Sequence, residues 1–86
     1  MPEIEIYTQE WCPFCERAKQ EFDRRGLAYR EIEAPRGTPA RAEAAHRAGG
    51  RTTVPQIFID GRHVGGCDEL LALDRAGKLD ALLQAA

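Results

Sequence analysis

Long apolar stretches are missing from this chain of 86 residues. No uninterrupted apolar run exceeds five residues, even when proline is counted, so no segment is long enough to span a membrane as a helix. The start of the chain, Met1-Pro2-Glu3-Ile4-Glu5, lacks the basic residues and the apolar stretch of a signal peptide. We therefore expect a cytoplasmic protein without a membrane partner. Residues 1–86 should form a single domain, because the chain is too short for a second one.

A surplus of positive charge is also missing. Twelve Lys and Arg residues stand against fourteen Asp and Glu residues, which leaves a net charge of −2. A nucleic-acid-binding domain of this size is usually basic, so we expect no nucleic acid partner. Hydrophobic residues make up 43% of the chain and charged residues 30%, a balance that is ordinary for a globular domain and excludes a wholly disordered one.

Cysteine is scarce, and its number is odd. Three cysteines cannot all pair within one chain, which argues against a secreted scaffold held together by disulfides. Two of them form the motif Cys12-Pro13-Phe14-Cys15. Taken alone, this spacing is a weak signal.

The pattern of apolar residues and of helix and turn signals predicts the order β-α-β-α-β-β-α, followed by a short terminal helix. Strands are expected at residues 3–7, 27–33, 56–59 and 62–64, and helices at 13–25, 39–48, 68–76 and 79–83. The dipeptide Asp60-Gly61 predicts a tight hairpin between the last two strands. The first two strands should be parallel and the hairpin should extend the same sheet. The chain is therefore predicted to be α/β, with helices on both faces of one sheet.

Cys12 is the candidate nucleophile. It follows a predicted strand and precedes Pro13, which suits the first position of a helix because proline has no N–H to leave unpaired. Free N–H groups and the positive end of the helix dipole stabilise a thiolate at this position. Cys15 lies one turn further along the same face, close enough for a disulfide to form and break. The alternative is a pair of structural cysteines, one at the surface and one in the core.

Two further motifs suit a ligand site. Thr52-Thr53-Val54-Pro55 precedes the third predicted strand, and its proline either opens the strand or follows a cis peptide bond. In Val64-Gly65-Gly66-Cys67-Asp68-Glu69, paired glycines allow a backbone to approach a ligand, and Asp68 is predicted to cap a helix whose free N–H groups suit an anion. The alternative for the second motif is a capped helix after a turn, with no ligand.

Together these motifs resemble the glutaredoxin family, and within it the small bacterial dithiol members. The resemblance covers essentially the whole chain and follows the family's order and spacing. It is carried by Ile6-Tyr7-Thr8, Cys12-Pro13-Phe14-Cys15 with Arg17-Ala18-Lys19, the segment 50–59 and the segment 65–70. It implies a thioredoxin fold, with a four-stranded mixed sheet in the order 2-1-3-4 and a cis bond between Val54 and Pro55 facing Cys12.

The resemblance also implies an enzyme, a glutathione-disulfide oxidoreductase, with glutathione as co-substrate and no metal. Thr53 and Val54 are expected to pair with the cysteinyl part of glutathione through their backbone. Gly66, Cys67 and Asp68 are expected to hold its γ-glutamyl end. The other residues expected at the glutathione site are Phe14, Arg51 and Pro55.

Two positions depart from the family pattern. The family often has tyrosine at the position of Phe14, and often has lysine at the position of Gln9, three residues before Cys12. Arg51 matches a family position near the glycine carboxylate of glutathione and is expected to compensate for the missing lysine. We expect glutathione binding to be retained, with Cys12 relying more on the helix end.

The implied reaction is thiol–disulfide exchange, for which two routes stay open. In one route Cys12 acts alone on a glutathione mixed disulfide, and in the other Cys15 resolves a mixed disulfide between Cys12 and a protein. The expected protein partners carry disulfides or glutathione adducts, and the resemblance suggests a ribonucleotide reductase among them. We expect a monomer.

Three other functions compete with this prediction. A redoxin reduced by thioredoxin reductase is favoured by Gln9, but such proteins tend to lack the glutathione-site residues. An iron–sulfur carrier usually has one active-site cysteine, so Cys15 and Pro13 count against it. A zinc site could use Cys12, Cys15, Cys67 and a histidine, yet His46 and His63 lack paired spacing.

Two further side chains stand near the predicted site with their roles open. Trp11 is predicted either to form an exposed lip for client proteins or to pack over its loop. Cys67 is predicted to be a small, partly buried residue beside the site, and the alternative is a cysteine that becomes glutathionylated.

Overall fold

The strands and helices follow each other in the order that the sequence pattern predicts. The computed structural model describes residues 2–84. In chain order the elements are β1 (Ile4–Thr8), α1 (Pro13–Arg24), β2 (Arg30–Glu33), α2 (Pro39–Arg47), β3 (Gln56–Ile59), β4 (Arg62–Gly65), α3 (Cys67–Arg75) and α4 (Leu79–Gln84). Within residues 2–84, no helix has the length and apolar character needed to cross a membrane.

The four strands form one mixed sheet in the order β2-β1-β3-β4. β1 pairs in parallel with β2, whereas the β1–β3 and β3–β4 pairs are antiparallel. The predicted sheet order 2-1-3-4 is confirmed. The central strands β1 and β3 are almost wholly buried, and this explains their runs of isoleucine and aromatic residues.

Helices cover both faces of the sheet. On one face, Ile4, Ile6, Ile57 and Ile59 pack against residues of α1, α3 and α4, which are Ala18, Phe22, Leu70 and Leu79. On the other face, Tyr7 and Phe58 pack against Ala44 of α2 and against Ala34 and Ala48. The two-residue alternation along β1 and β3 assigns each side chain to its face.

The second strand is shorter than predicted, since it begins at Arg30 and not at Leu27. The reason lies in the end of α1. Gly26, at φ +68°, donates to the carbonyl of Asp23, and Leu27 donates to the carbonyl of Phe22. This is the Schellman arrangement, and it uses the backbone of Leu27 to close the helix. The side chains of Leu27 and Tyr29 then pack on the core instead of extending the strand.

The hairpin between β3 and β4 turns at Asp60-Gly61, as predicted. Both residues have positive φ, 51° and 80°, which is the geometry of a type I′ turn. The pairing register shifts between Ile57 and Phe58, so that Ile57 pairs with Gly65 and Phe58 with His63. Val64 is therefore an extra residue, a bulge that bends β4 where the chain turns toward α3.

Candidate active site

Cys12 and Cys15 stand at the start of α1. Cys12 is the N-cap residue and Pro13 occupies the first turn, which confirms the prediction. The two cysteines are disulfide-bonded, with Cα atoms 5.2 Å apart, and the backbone N–H of Cys15 points at Cys12 Sγ at 3.2 Å. Cys12 is partly accessible, while Cys15 is 1% exposed. A thiolate that attacks this disulfide can therefore reach the sulfur of Cys12 but not that of Cys15.

The loop before β3 approaches this dithiol. The Val54–Pro55 peptide bond is cis, as the family resemblance implies, and the carbonyl oxygen of Val54 lies 3.9 Å from Cys12 Sγ. Pro55 is buried, whereas Thr53 is exposed and Val54 partly so. The backbone of Thr53 and Val54 is thus displayed beside the reactive sulfur.

The start of α3 corrects one prediction. Asp68 is not the cap: Gly66 is the N-cap residue, and Asp68 is the second residue of the helix. Glu69 Oε1 accepts the Gly66 N–H at 2.7 Å. Glu69 thereby makes one of the two contacts of a capping box. The other contact is missing, because Gly66 has no side chain to accept an N–H of the first turn. The Gly66 hydrogen bond, followed by the one from Arg51, lowers the pKa of Glu69 below its ordinary value.

The close packing around Gly66 explains why glycine stands there. A Cβ atom on Gly66 would lie 3.2 Å from the carbonyl oxygen of Pro55. At Gly65, which has φ +120°, a Cβ atom would lie 2.6 Å from Glu69 Oε1. Gly66 therefore lets the start of α3 lie against the loop that carries the cis proline, and Gly65 leaves room for the side chain of Glu69.

These segments enclose one cavity of about 220 Å3. All eight residues predicted for the glutathione site line it: Phe14, Arg51, Thr53, Val54, Pro55, Gly66, Cys67 and Asp68. Glu69 also lines the cavity and was missed by the sequence analysis. Its signal was available, since a Glu three residues after a cap position predicts a capping box once the cap is placed at Gly66.

Arg51 and Gln9, two polar residues near the cavity, both have side-chain partners. Arg51 Nη1 is 3.0 Å from Glu69 Oε1, and both side chains are about half exposed. At Gln9, where the family often has lysine, the side-chain oxygen accepts a hydrogen bond from Arg41 Nη1 at 2.7 Å. A guanidinium from α2 thus brings a positive charge to the position that lacks the lysine.

Cys67, the third cysteine, is 4% exposed and belongs to the core cluster under α3. This is more buried than the partial burial predicted for it. Burial raises the pKa of its thiol above the ordinary value. Cys67 lines the cavity and forms no disulfide.

Two large aromatic side chains, one on each side of Cys12 in the sequence, are exposed to solvent. Trp11 is 95% exposed and Phe14 is 59% exposed. Of the two roles left open for Trp11, packing over its loop is excluded and the exposed position is confirmed. Trp11 also has φ +58°, a left-handed conformation that is uncommon for a bulky residue.

The histidines stand apart from the cysteines. His46 is exposed on α2, and His63 Nε2 lies 2.7 Å from the buried Gln56 Oε1. Burial, and then the positive charge of Arg51, lower the pKa of His63. Residues 2–84 contain no group of three or more His, Cys, Asp or Glu side chains that could hold a metal ion.

A dithiol at the N-terminus of the first helix of a β2-β1-β3-β4 sheet defines a thiol–disulfide oxidoreductase of the thioredoxin fold. The comparisons with known proteins narrow this class. The glutaredoxin family model matches residues 4–64. A glutaredoxin of Pseudomonas aeruginosa is 58% identical over 99% of this chain and 100% of its own length. Glutaredoxin 3 of Escherichia coli is 50% identical over 98% of this chain and 100% of its own length.

Solved structures agree with the sequence comparisons. A buckwheat glutaredoxin in complex with glutathione has a TM-score of 0.84 and 34% identity, covering 98% of this chain and 78% of that one. A glutaredoxin from Brucella melitensis has a TM-score of 0.82 and 50% identity, covering 95% and 88%. The chain belongs to the glutaredoxin family. It is a dithiol glutaredoxin, an oxidoreductase whose active-site pair is Cys12 and Cys15.

Proposed function

We propose that this glutaredoxin uses glutathione as its co-substrate and reduces glutathione mixed disulfides by Cys12 alone. The Cys12 thiolate attacks the glutathione sulfur, a bond forms between the two sulfurs, and the substrate thiolate leaves and takes a proton from water. A second glutathione thiolate then attacks the glutathione sulfur held on Cys12. Oxidised glutathione is released and the Cys12 thiolate is restored. One free glutathione molecule is consumed in each turnover, because the other half of the oxidised glutathione comes from the substrate.

Protein disulfides follow a second route through Cys15. Cys12 attacks one protein sulfur and forms a mixed disulfide, releasing the other protein sulfur as a thiolate. The Cys15 thiolate then attacks Cys12 Sγ, which releases the protein and leaves the Cys12–Cys15 disulfide. Two glutathione molecules reduce this disulfide. The burial of Cys15 beside Cys12 supports this division, because Cys15 can reach Cys12 but not an external substrate.

The cavity residues suit the parts of glutathione. The free backbone of Thr53 and Val54 can pair with the cysteinyl residue as an added strand would. The start of α3 can accept the γ-glutamyl carboxylate, and Asp68 its ammonium group. Because Glu69 caps the helix, the Asp68 carboxylate is left unpaired within residues 2–84. Phe14 can lie against the tripeptide, and Arg51 can take the glycine carboxylate.

One distance carries the proposal: the 3.9 Å between Cys12 Sγ and the carbonyl oxygen of Val54. A peptide that pairs with Val54 brings its own cysteine sulfur to Cys12. The buckwheat relative was solved with glutathione bound, which supports the same ligand here.

Turnover of a glutathione mixed disulfide, coupled to glutathione reductase and NADPH, tests the proposal. We expect rapid turnover by the wild type and by Cys15→Ser, and none by Cys12→Ser. An inactive wild type that is instead reduced by thioredoxin reductase would show that the electron donor is wrong. Loss of turnover in Cys15→Ser would show that mixed disulfides also need the dithiol route.

The cellular partners belong to the same proposal. Glutathione serves as reductant in a reducing compartment such as the cytoplasm, where we place this protein. Its clients are proteins with disulfides or glutathione adducts, with a ribonucleotide reductase as the candidate that the family resemblance suggests. We propose that it acts as a monomer.

A further inference from the structure

The backbone of the segment Thr52–Pro55 is held in place by side chains. Among residues 2–84, none of the backbone–backbone hydrogen bonds outside the helices and strands involves this segment. Side chains hold its carbonyl groups instead. Arg41 Nε donates to the Thr52 carbonyl at 3.0 Å, and Gln56 Nε2 donates to the Thr53 carbonyl at 3.0 Å. The segment is thus fixed from outside, while its own N–H groups stay available to a ligand.

Arg41 does more than hold one carbonyl. Its Nη1 donates to the side-chain oxygen of Gln9 at 2.7 Å and to the carbonyl of Ala34 at 2.9 Å. One planar guanidinium therefore joins three loops: the loop that leads to Cys12, the loop after β2 and the loop that carries the cis proline. No carboxylate of residues 2–84 forms an ion pair with Arg41, so its N–H groups serve these three oxygens.

We propose that Arg41 is a positioning residue of thiol–disulfide exchange. By tying the Thr52 carbonyl to the loop that precedes Cys12, it holds the Val54 backbone at the distance from Cys12 Sγ that the reaction needs. Arg41 is absent from the cavity lining and contacts no reacting atom. The inference rests on the proposed function, because the ligand that pairs with Val54 is the glutathione moiety of the substrate.

The place of Arg41 in its helix makes the proposal testable without unfolding the protein. Arg41 is in the first turn of α2, and the helix cap uses its backbone N–H, which Thr38 Oγ1 accepts at 3.3 Å. A substitution of the side chain leaves this cap in place. Gln56 is fully buried, so its replacement would disturb the core and the loop together. A substitution at Arg41 therefore tests the support of the segment without disturbing the core.

The experiment compares Arg41→Met, Arg41→Lys and Arg75→Met with the wild type. Methionine retains much of the length of arginine but cannot donate, and lysine retains the charge but not the planar fork. Arg75 is exposed at the end of α3 and is a matched control. Two quantities are measured: KM and kcat for a small glutathione mixed disulfide, and the NMR order parameters of the Thr53 and Val54 amides without ligand.

We expect Arg41→Met to raise KM for the mixed disulfide about tenfold, since a substrate that must order one more loop residue binds more weakly by roughly that factor. The kcat value should stay within about twofold, because the reacting sulfurs are untouched. The order parameters of Thr53 and Val54 should fall below the wild-type values. Arg41→Lys should lie between Arg41→Met and the wild type, and Arg75→Met should match the wild type.

Two results would overturn the inference. One is an unchanged KM or unchanged order parameters in Arg41→Met, even if the variant melts earlier, because Arg41 would then be merely structural. The other is full recovery by Arg41→Lys, which would show that charge matters and the fork does not. Failure of the proposed function is a separate outcome: the wild type would then turn over no mixed disulfide, and the order parameters would still show whether Arg41 holds the segment.

Discussion

Glu69 reaches back across the first turn of α3 and accepts the backbone N–H of Gly66 at 2.7 Å. This contact closes the start of the helix with a carboxylate, and it leaves the neighbouring Asp68 carboxylate exposed at the cavity. The geometry therefore gives Glu69 a role in stability, and it leaves Asp68 available for the ligand-binding role that we propose for it.

Glu69→Gln is expected to destabilise the protein by about 0.5–1 kcal/mol at pH 7, since a neutral amide caps more weakly and loses the half-exposed pair with Arg51. The pKa of Glu69 is lowered in the folded protein, so its contribution is present above about pH 4.5 and is lost as the pH falls through the folded value. Urea unfolding at pH 7 and near pH 3 should show a difference between wild type and variant that shrinks in acid.

Asp68→Asn is the matched control for Glu69→Gln. It should leave the free energy of unfolding within about 0.5 kcal/mol of wild type. It should raise KM for glutathione about three- to tenfold, as expected for loss of a partly exposed charge-assisted contact. Equal losses of stability in the two variants would contradict the separation of tasks.

Arg25 links three helices through carboxylates, and its removal should destabilise the fold. It forms ion pairs with Glu21 of α1, Asp74 of α3 and Asp80 of α4. The Glu21 carboxylate is 7% exposed and pairs with two cations, Arg24 and Arg25. Arg25→Met removes one of these two partners from a buried charge. We expect a loss of about 2 kcal/mol in urea unfolding, between the values for exposed and buried pairs.

Arg24→Met provides the comparison for Arg25→Met. Arg24 also pairs with Glu21, but its side chain is 64% exposed, so its loss should cost clearly less. Turnover at 25 °C should be unchanged in both variants. A reversed order of stability would contradict the assignment of Arg25 as the central cation of this cluster.

Alkylation of the reduced protein should distinguish the three cysteines. Cys12 is partly accessible, while Cys15 and Cys67 are 1% and 4% exposed. Burial also raises the pKa of Cys67, which keeps it in the unreactive thiol form at neutral pH. After brief iodoacetamide treatment at pH 7, peptide mass spectrometry should find Cys12 modified first, with Cys67 modified only after unfolding in urea. Early modification of Cys67 in the folded protein would refute this order.

Trp11→Ala should separate protein substrates from small ones. Because Trp11 is 95% exposed, the free energy of unfolding should change by less than about 0.5 kcal/mol. If Trp11 contacts client proteins, kcat/KM for a protein disulfide should fall several-fold while kcat/KM for a small glutathione mixed disulfide stays the same. If kcat/KM for the protein disulfide is the same in the variant as in the wild type, Trp11 has no role in client binding.

Local signals carried much of the fold prediction. Pro13 after Cys12 and Pro39 after Thr38 mark helix starts that the structure confirms, because proline suits the first turn wherever the rest of the chain lies. Asp60-Gly61 marks the hairpin for a similar reason. The prediction was wrong where tertiary packing competes with local pattern, as at Leu27, whose alternation predicted a strand but whose backbone closes α1.

The sequence by itself determined which residues could react: the cysteine pair, its place at a helix start and the family motifs around it are all readable from short segments. Only the tertiary structure decided how these segments meet. The sheet order brings the carbonyl oxygen of Val54 to 3.9 Å from Cys12 Sγ, although the two residues are 42 positions apart in the sequence. The bulge at Val64 comes just before α3, and the first residues of α3 line the same cavity. The three hydrogen bonds of Arg41 could not be predicted from the sequence either, because their partners are set by side-chain reach in three dimensions and not by spacing along the chain.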